Sequence, residues 1–273
     1  MKILLLGASG MAGHVINRYF SDKSDLTAVY SPRSNEKLKV DIFDVDKLKD
    51  IICQVSPEYV INCVGLLVKD SEERPDKAAF INGYLPHYLA QLGKENNFSL
   101  IHLSTDCVFS GRQGPYVEAA IKDEVKPYGL SKSLGEVVYG NNLTIRTSII
   151  GPEIKSGTGL WQWYSKQENV VNGYTNVYWN GITTLELAKF IEYAIASKIT
   201  GLAHVTCKNP VSKFELLNYL KMAKVGEAVI QKSRLISSYG SINKVLVNTR
   251  NDFSYKTKDI KKLIKEMVEW IKK

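Results

Sequence analysis

No stretch of the sequence approaches the roughly 18–20 consecutive apolar residues that cross a bilayer, so no membrane span is expected. The opening decapeptide, MKILLLGASG, holds one lysine and an apolar segment too short for a signal peptide, and the expected location is the cytoplasm. Cysteine is scarce. Cys53, Cys63, Cys107 and Cys207 form no CxxC pair, which argues against a disulfide scaffold and reads as free thiols in a reducing compartment. The histidines, His14, His87, His102 and His204, show no metal-ligand spacing, and no metal site is expected. No basic–aromatic patch marks a nucleic-acid surface, and internal repeats, low-complexity tracts and obvious linkers are missing.

What is present is a chain of 273 residues, 44% hydrophobic, with a net charge of +8. That length suits one large domain, or a domain with a smaller lobe. The positive balance suits a phosphate-bearing ligand. Its densest part is the tail KDIKKLIKEMVEWIKK, where Ile260, Leu263, Ile264, Met267, Val268 and Ile271 share one helical face, so this segment is expected to pack on the body as a surface helix.

Short β-branched runs alternate with helical patterns through the first half. KILLLG, DLTAVYS, PEYVINCVG, FSLIHLST and LTIRTSII read as strands. MAGHVINRYFSD, VDKLKDIICQVS, residues 75–95 with a kink at Pro86, and YGLSKSLGEVVYG ending near Gly140 read as helices. Such alternation predicts an α/β fold, a Rossmann-like doubly wound parallel sheet, with a smaller C-terminal α/β lobe. Residues 1–150 are expected to form the dinucleotide domain and 151–273 the substrate lobe, with a soft boundary that the chain can cross. Two helix starts in the second part are marked by capping boxes, Thr183 to Glu186 and Ser212 to Glu215.

GASGMAG at 7–13 follows the first strand and opens a helix. Gly7 suits the tight turn, Gly10 the approach of backbone to a pyrophosphate, and Gly13 the close packing of helix on strand. The helix N-terminus offers free N–H groups to phosphate. Gly7, Ser9, Gly10, Met11 and Gly13 are therefore candidate cofactor residues. The second strand ends VYSPRS, without the carboxylate that holds an NAD ribose, and Arg33 stands near that place. An arginine suits a 2′-phosphate, so NADP is favoured and NAD stays open, as does a reading of Arg33 as a solvated loop charge. Asp41 and Ile42, after a short third strand, are candidates to flank the adenine.

Tyr128 and Lys132 are four apart on a helix and share a face. A phenol with a pKa near 10 is a poor acid–base at neutral pH, and a neighbouring ammonium lowers it. Lys132 can also hold a ribose hydroxyl. Tyr128 can then give a proton to a carbonyl oxygen as hydride reaches the carbon, while Thr105, at the end of the preceding strand, hydrogen-bonds to that oxygen. Thr105, Tyr128 and Lys132 are the candidate catalytic set.

GASGMAG, INCVG, Asn82 in AFINGYLP, STDCVFSG and YGLSKSLGE together resemble the extended short-chain dehydrogenase/reductases, and within them the dTDP-4-dehydrorhamnose reductase family. The resemblance implies reduction of the 4-keto group of a nucleotide-linked deoxysugar with NADPH or NADH, for polysaccharide or glycan precursors. It implies that Cys63, Val64 and Gly65 line the cofactor, and that Asn82 supports the site. The departure is Cys107, where the family carries tyrosine towards the sugar. The related dehydratases carry Asp-Glu after the threonine. Here Asp106 is present and the glutamate is not, which leaves Cys107 as a thiolate base or, on the plainer reading, as pocket lining. Asp106, Cys107, Trp179 and Asn180 are candidate substrate residues, with Trp161 and Trp163 as covers for a sugar or base, or as core. An epimerase or dehydratase, and a nucleotide-binding regulatory subunit similar to the beta subunit of methionine adenosyltransferase, stand as alternatives. A homodimer is the default assembly.

Overall fold

Five short apolar runs form β1 (Lys2–Leu6), β2 (Asp25–Val29), β3 (Tyr59–Asn62), β4 (Ser99–Thr105) and β5 (Leu143–Thr147). The structure, a computed structural model, describes every residue except 33, 35, 37, 155, 156 and 239. A strand covered on both faces sends alternate side chains into two cores. In β1, Ile3 and Leu5 enter one apolar cluster, and Leu4 and Leu6 enter the other. The first cluster takes Val15, Ile16 and Phe20 from helix α1 (Met11–Phe20), together with residues of the Thr184–Ala196, Lys213–Met222 and Ile260–Ile271 helices. The second takes Leu48, Ile51 and Ile52 from α2 (Val45–Val55), and Leu85, Leu89 and Leu92 from the Leu85–Asn96 helix.

The sheet is parallel throughout, in the spatial order Gly201–His204, β5, β4, β3, β1, β2. This is the expected Rossmann-like sheet with helices on both faces. The strand order reverses between β1 and β3, so a crevice opens outside their carboxyl ends, where such sheets bind ligands. The sixth strand, Gly201–His204, comes from beyond residue 150. The same part of the chain adds small pairings: Val177–Trp179 lies between Val211–Ser212 and Ile242–Asn243, Val170–Tyr174 pairs with Val229–Ser233, and Ile182–Thr183 pairs with Ile149–Ile150.

Four local expectations are corrected. The helix expected over 75–95 is a short turn Pro75–Ala78, a π-helical stretch Ala79–Tyr84, and a regular helix from Leu85. Pro86 has no N–H to give the Asn82 carbonyl one turn back, so the widened register lies just ahead of it. The helix expected to reach Gly140 is Pro127–Leu134. It stops because Gly135 lies against the Asn82 carbonyl, which a Cβ would meet at 1.9 Å, and Glu136 then turns inward. The strand expected before Asp41 is a single bridge between Tyr30 and Lys39, since Asp41 turns the chain through its Oδ1, which accepts from the Phe43 N–H. Thr183 caps its helix by accepting from the Glu186 N–H, but Glu186 accepts from the Tyr255 hydroxyl instead of closing the box. The Ser212–Glu215 box is complete.

The tail helix packs through most of its expected face, burying Ile260, Leu263, Ile264 and Met267 with Lys261, Lys262 and Lys265 in solvent, whereas Val268 is half-buried and Ile271, at the helix end, is exposed. Among the described residues no helix is long and apolar enough to cross a membrane. Ile264→Ala should cost about 2–5 kcal/mol in urea unfolding, the usual cost of a large-to-small change in a closed core. A change under about 0.5 kcal/mol would mean that the helix is not part of the cooperative core.

Candidate active site

The glycine turn is built by close approaches. Gly7 has φ +82, in the left-handed region, and its N–H and that of Ala8 donate to the Val29 carbonyl at 3.2 and 3.1 Å. A Cβ on Gly13 would lie 2.1 Å from the Gly7 carbonyl oxygen, so only glycine lets α1 sit down on the turn. Gly10, the N-cap, brings no side-chain cap, which leaves the first N–H groups of α1 for an anion. Ser9, Gly10 and Met11 line a cavity of about 470 Å³ together with Cys63, Val64 and Gly65. Gly7 and Gly13 shape the turn and are not on its wall. The Ser31 hydroxyl, two residues past β2, is buried without a partner among the described residues. These features fit a dinucleotide: donors for its phosphates and an orphaned hydroxyl where its adenosine ribose would lie. Arg33, the candidate for a 2′-phosphate, lies outside the described residues. Asp41 and Ile42 do not line the cavity; Asp41 is exposed and Ile42 packs on the second core cluster.

The opposite wall carries Thr105, Asp106, Cys107, Tyr128 and Lys132. Thr105 ends β4, in register with Thr147 of β5, and a single 3₁₀ turn, Asp106–Val108, follows. The Thr105 hydroxyl accepts from the Cys107 N–H at 3.1 Å and donates to Asp106 Oδ1 at 3.2 Å. Gly129 lies on the Cys107 carbonyl, which a Cβ would meet at 2.2 Å. That contact seats the Pro127–Leu134 helix against the turn and brings Tyr128 to Thr105. Lys132, only 5% exposed, donates to the Leu103 carbonyl at 2.5 Å and lies 3.4 Å from His102 Nε2.

Burial governs the electrostatics. It pushes the Tyr128 phenol well above its ordinary range, with Cys107 adding to the rise, hydrogen bonding to Thr105 opposing it, and Asp106 raising it further. Lys132 therefore does not lower Tyr128 here as its spacing suggests. Its own pKa falls to about 8 through burial, against Glu136 and Cys63, which favour the charge. Burial raises Asp106, while Lys244 and Lys213 lower it. The Cys107 thiol is pushed up to about 11, first by burial and then by Asp106. That removes the basis for a thiolate base at neutral pH.

Other candidates hold structure. Asn82, fully buried, accepts from the Leu66 N–H at 2.9 Å and donates to the Leu66 carbonyl and the Ser131 hydroxyl. It staples the loop after β3 to the Tyr128 helix and does not line the cavity. Asn180 exchanges two hydrogen bonds with the Leu246 backbone. Trp179 is core, its Nε1 donating to Ser148 Oγ at 2.7 Å. Neither lines the cavity. Trp161 is core, and Trp163 is 39% exposed.

The comparisons with known proteins agree with this geometry. A model described as the RmlD substrate binding domain matches residues 1–231. The chain belongs to that family. It is 33% identical over 138 residues to methionine adenosyltransferase 2 subunit beta of Danio rerio, covering 50% of this chain and 42% of that protein. It is 31% identical over 154 residues to dTDP-4-dehydrorhamnose reductase of Burkholderia thailandensis, covering 54% and 50%. The chain thus spans about half the length of the curated relatives it matches. A crystal structure of dTDP-4-dehydrorhamnose reductase from Bacillus anthracis in complex with NADP shares the fold at a TM-score of 0.84 and 18% identity, covering 100% of this chain and 99% of that one.

Within this RmlD-family site several residues carry no signal in the sequence. Thr147, Ser148, Ile149 and Glu153 join the wall from the segment after β5, where nothing in their spacing points to a ligand. From outside the wall, Lys213 and Lys244 both interact with Asp106 and Cys107 from far along the chain, and Lys213 Nζ lies 4.9 Å from the centre of the Trp179 ring. The thiols give a direct check. Cys63 and Cys207 are raised to about 12, chiefly by burial, whereas Cys53 is exposed. Iodoacetamide at about pH 8 should alkylate Cys53 first, because only roughly a thousandth of a thiol titrating near 11 is then thiolate. Cys107 labelling as fast as Cys53 in the native protein would contradict a thiol held up near 11.

Proposed function

We propose that this chain is an NADPH-dependent reductase of the 4-keto group of a nucleotide-activated deoxysugar, serving the synthesis of polysaccharide or glycan precursors. The observation that carries this reading is the convergence of Thr105, Tyr128 and Lys132 on one cavity whose other wall is the glycine turn. Family membership and the likeness to dTDP-4-dehydrorhamnose reductases support it.

The cofactor, when bound, supplies hydride to the keto carbon. The chain's own groups do the rest. The N–H groups at the start of α1 and residues Ser9 to Met11 would hold its phosphates, Cys63 to Gly65 would line its site, and Lys132 would take a ribose hydroxyl. Thr105, whose single hydroxyl proton turns from Asp106 Oδ1, donates to the keto oxygen. Tyr128 gives that oxygen its proton, so the carbonyl becomes an alcohol and the phenol becomes phenolate, to be reprotonated from solvent. Burial keeps Tyr128 protonated across the neutral range but also makes it a weaker acid, so the proton passes to the strongly basic oxyanion that forms as hydride arrives. Residues 1–150 would then bind the cofactor and 151–273 the nucleotide-sugar, with Lys213 and Lys244 as cations beside the sugar end.

Cys107 disfavours a dehydratase, which needs a base at that position. A nucleotide-binding regulatory role has one observation in its favour, the likeness to methionine adenosyltransferase 2 subunit beta. Tyr128→Phe separates the readings. Turnover of a nucleotide-linked 4-keto sugar should fall about 10²–10⁴-fold, the range for losing a general acid, while NADPH affinity changes less than about threefold. Undiminished turnover would remove Tyr128 as the donor.

A further inference from the structure

Beneath the active-site lysine, three contacts fix one another's direction. The Val64 N–H donates to Asn62 Oδ1 at 3.0 Å. The other end of that amide, Nδ2, is therefore the donor that faces His102 Nδ1 at 3.2 Å. A donor at that position leaves Nδ1 bare, and a neutral imidazole with Nδ1 bare carries its proton on Nε2. Nε2 faces Lys132 Nζ at 3.4 Å. An N–H aimed at an ammonium sets two donors against each other, whereas an amine offers it a lone pair. Turning Asn62 over does not relieve the conflict, because its NH₂ would then meet the Val64 N–H. Protonating His102 does not relieve it either. The ring is fully buried, and burial, then Lys132 and His87, hold its pKa well below the ordinary value.

We propose that Asn62 and His102 form a directional hydrogen-bond chain that favours the neutral amine of Lys132 in the cofactor-free protein, and that dinucleotide binding therefore takes up a proton. His102 is on this account a positioning residue that acts through Lys132. The inference rests on the reading of Lys132 as the residue that meets the cofactor ribose. The charged neighbours oppose the chain: Glu136, beyond the helix, and Cys63, after β3, both favour the ammonium, and burial outweighs them to leave Lys132 at about 8. Bound phosphates and ribose acceptors favour the ammonium as well, so the cofactor raises this pKa. The sign follows: at about pH 9 the free amine is mostly neutral and the complex protonated, whereas well below pH 8 both are protonated.

Two measurements test the chain. Nitrogen NMR of the histidine-labelled, cofactor-free protein should show His102 protonated at Nε2 and bare at Nδ1; the opposite tautomer overturns the proposal. Calorimetry of NADPH binding in buffers of different ionisation enthalpy should show uptake approaching about one proton at pH 9 and falling towards zero near pH 6. Asn62→Asp supplies an acceptor to His102 Nδ1–H, leaves Nε2 bare to accept from the ammonium, and should remove most of that uptake. Binding without uptake in the native protein, or undiminished uptake in a folded Asn62→Asp variant, overturns the proposal. If NADPH does not bind at all, the cofactor reading fails, and the tautomer still decides the chain. If the variant does not fold, the two native-protein measurements decide.

Discussion

The reach of a buried amine to a strand carbonyl sets the geometry of this site. Lys132 crosses from its helix to Leu103 of β4 at 2.5 Å, and that bond requires the helix to lie directly on the end of the strand. Two glycines make the approach sterically possible. Gly129 rests on the Cys107 carbonyl and Gly135 on that of Asn82, with no room for a Cβ at either place. Once the helix is seated, the position of Tyr128 follows from helical geometry, four residues earlier on the same face. The parallel register of β4 on β5 then fixes Thr105 opposite. Thr105, Tyr128 and Lys132, from two elements, are thus held together by close backbone approaches and by the Lys132–Leu103 bond.

The charges below this layer are buried but matched. Glu136 accepts from Arg146 through both carboxylate oxygens, from Ser104 and from Lys122. Arg146 also meets His204 at 2.8 Å. Interaction with Arg146 and these donors holds Glu136 low in spite of its burial, and burial followed by Arg146 brings His204 down to about 4. Removing one partner of such a set strands a charge in a dry interior, which costs far more than the intact set contributes. Ser104, one residue before Thr105, is anchored in this network. The strand end that carries Thr105 is therefore braced from beneath, while its upper side opens to the cavity.

The sheet was legible in the sequence because a strand buried on both faces is largely apolar, and KILLL, YVIN and SLIHL are, with Asn62 and His102 as buried polar exceptions. The glycine turn was legible because backbone geometry alone excludes a side chain at Gly13. Thr105, Tyr128 and Lys132 were legible from their spacing, a local property. Long-range contacts were not. The end of the helix at Leu134 lies against a carbonyl far back in the chain, that of Asn82, and the wall residues after β5 join the cavity only through the tertiary fold, as do Lys213 and Lys244, which act on Asp106 from outside its wall. Asn82, Trp179 and Asn180 show the converse. Asn82 supports the site as structure, tying Leu66 to the Tyr128 helix, while Trp179 and Asn180, candidate substrate residues in the sequence, give their polar atoms to Ser148 and Leu246 instead.

Cys107 gives the cavity wall a small group whose thiol burial keeps protonated at neutral pH. The central claim is net reduction, and the most direct measurement is the stoichiometry of NADPH oxidised per sugar converted, followed by nicotinamide absorbance across nucleotide-linked 4-keto-6-deoxy sugars. This account predicts one NADPH consumed for each 4-keto group reduced, with one sugar preferred. NADPH that binds but is never consumed, with any sugar of the panel, would contradict it and leave a nucleotide-binding regulatory subunit as the better description.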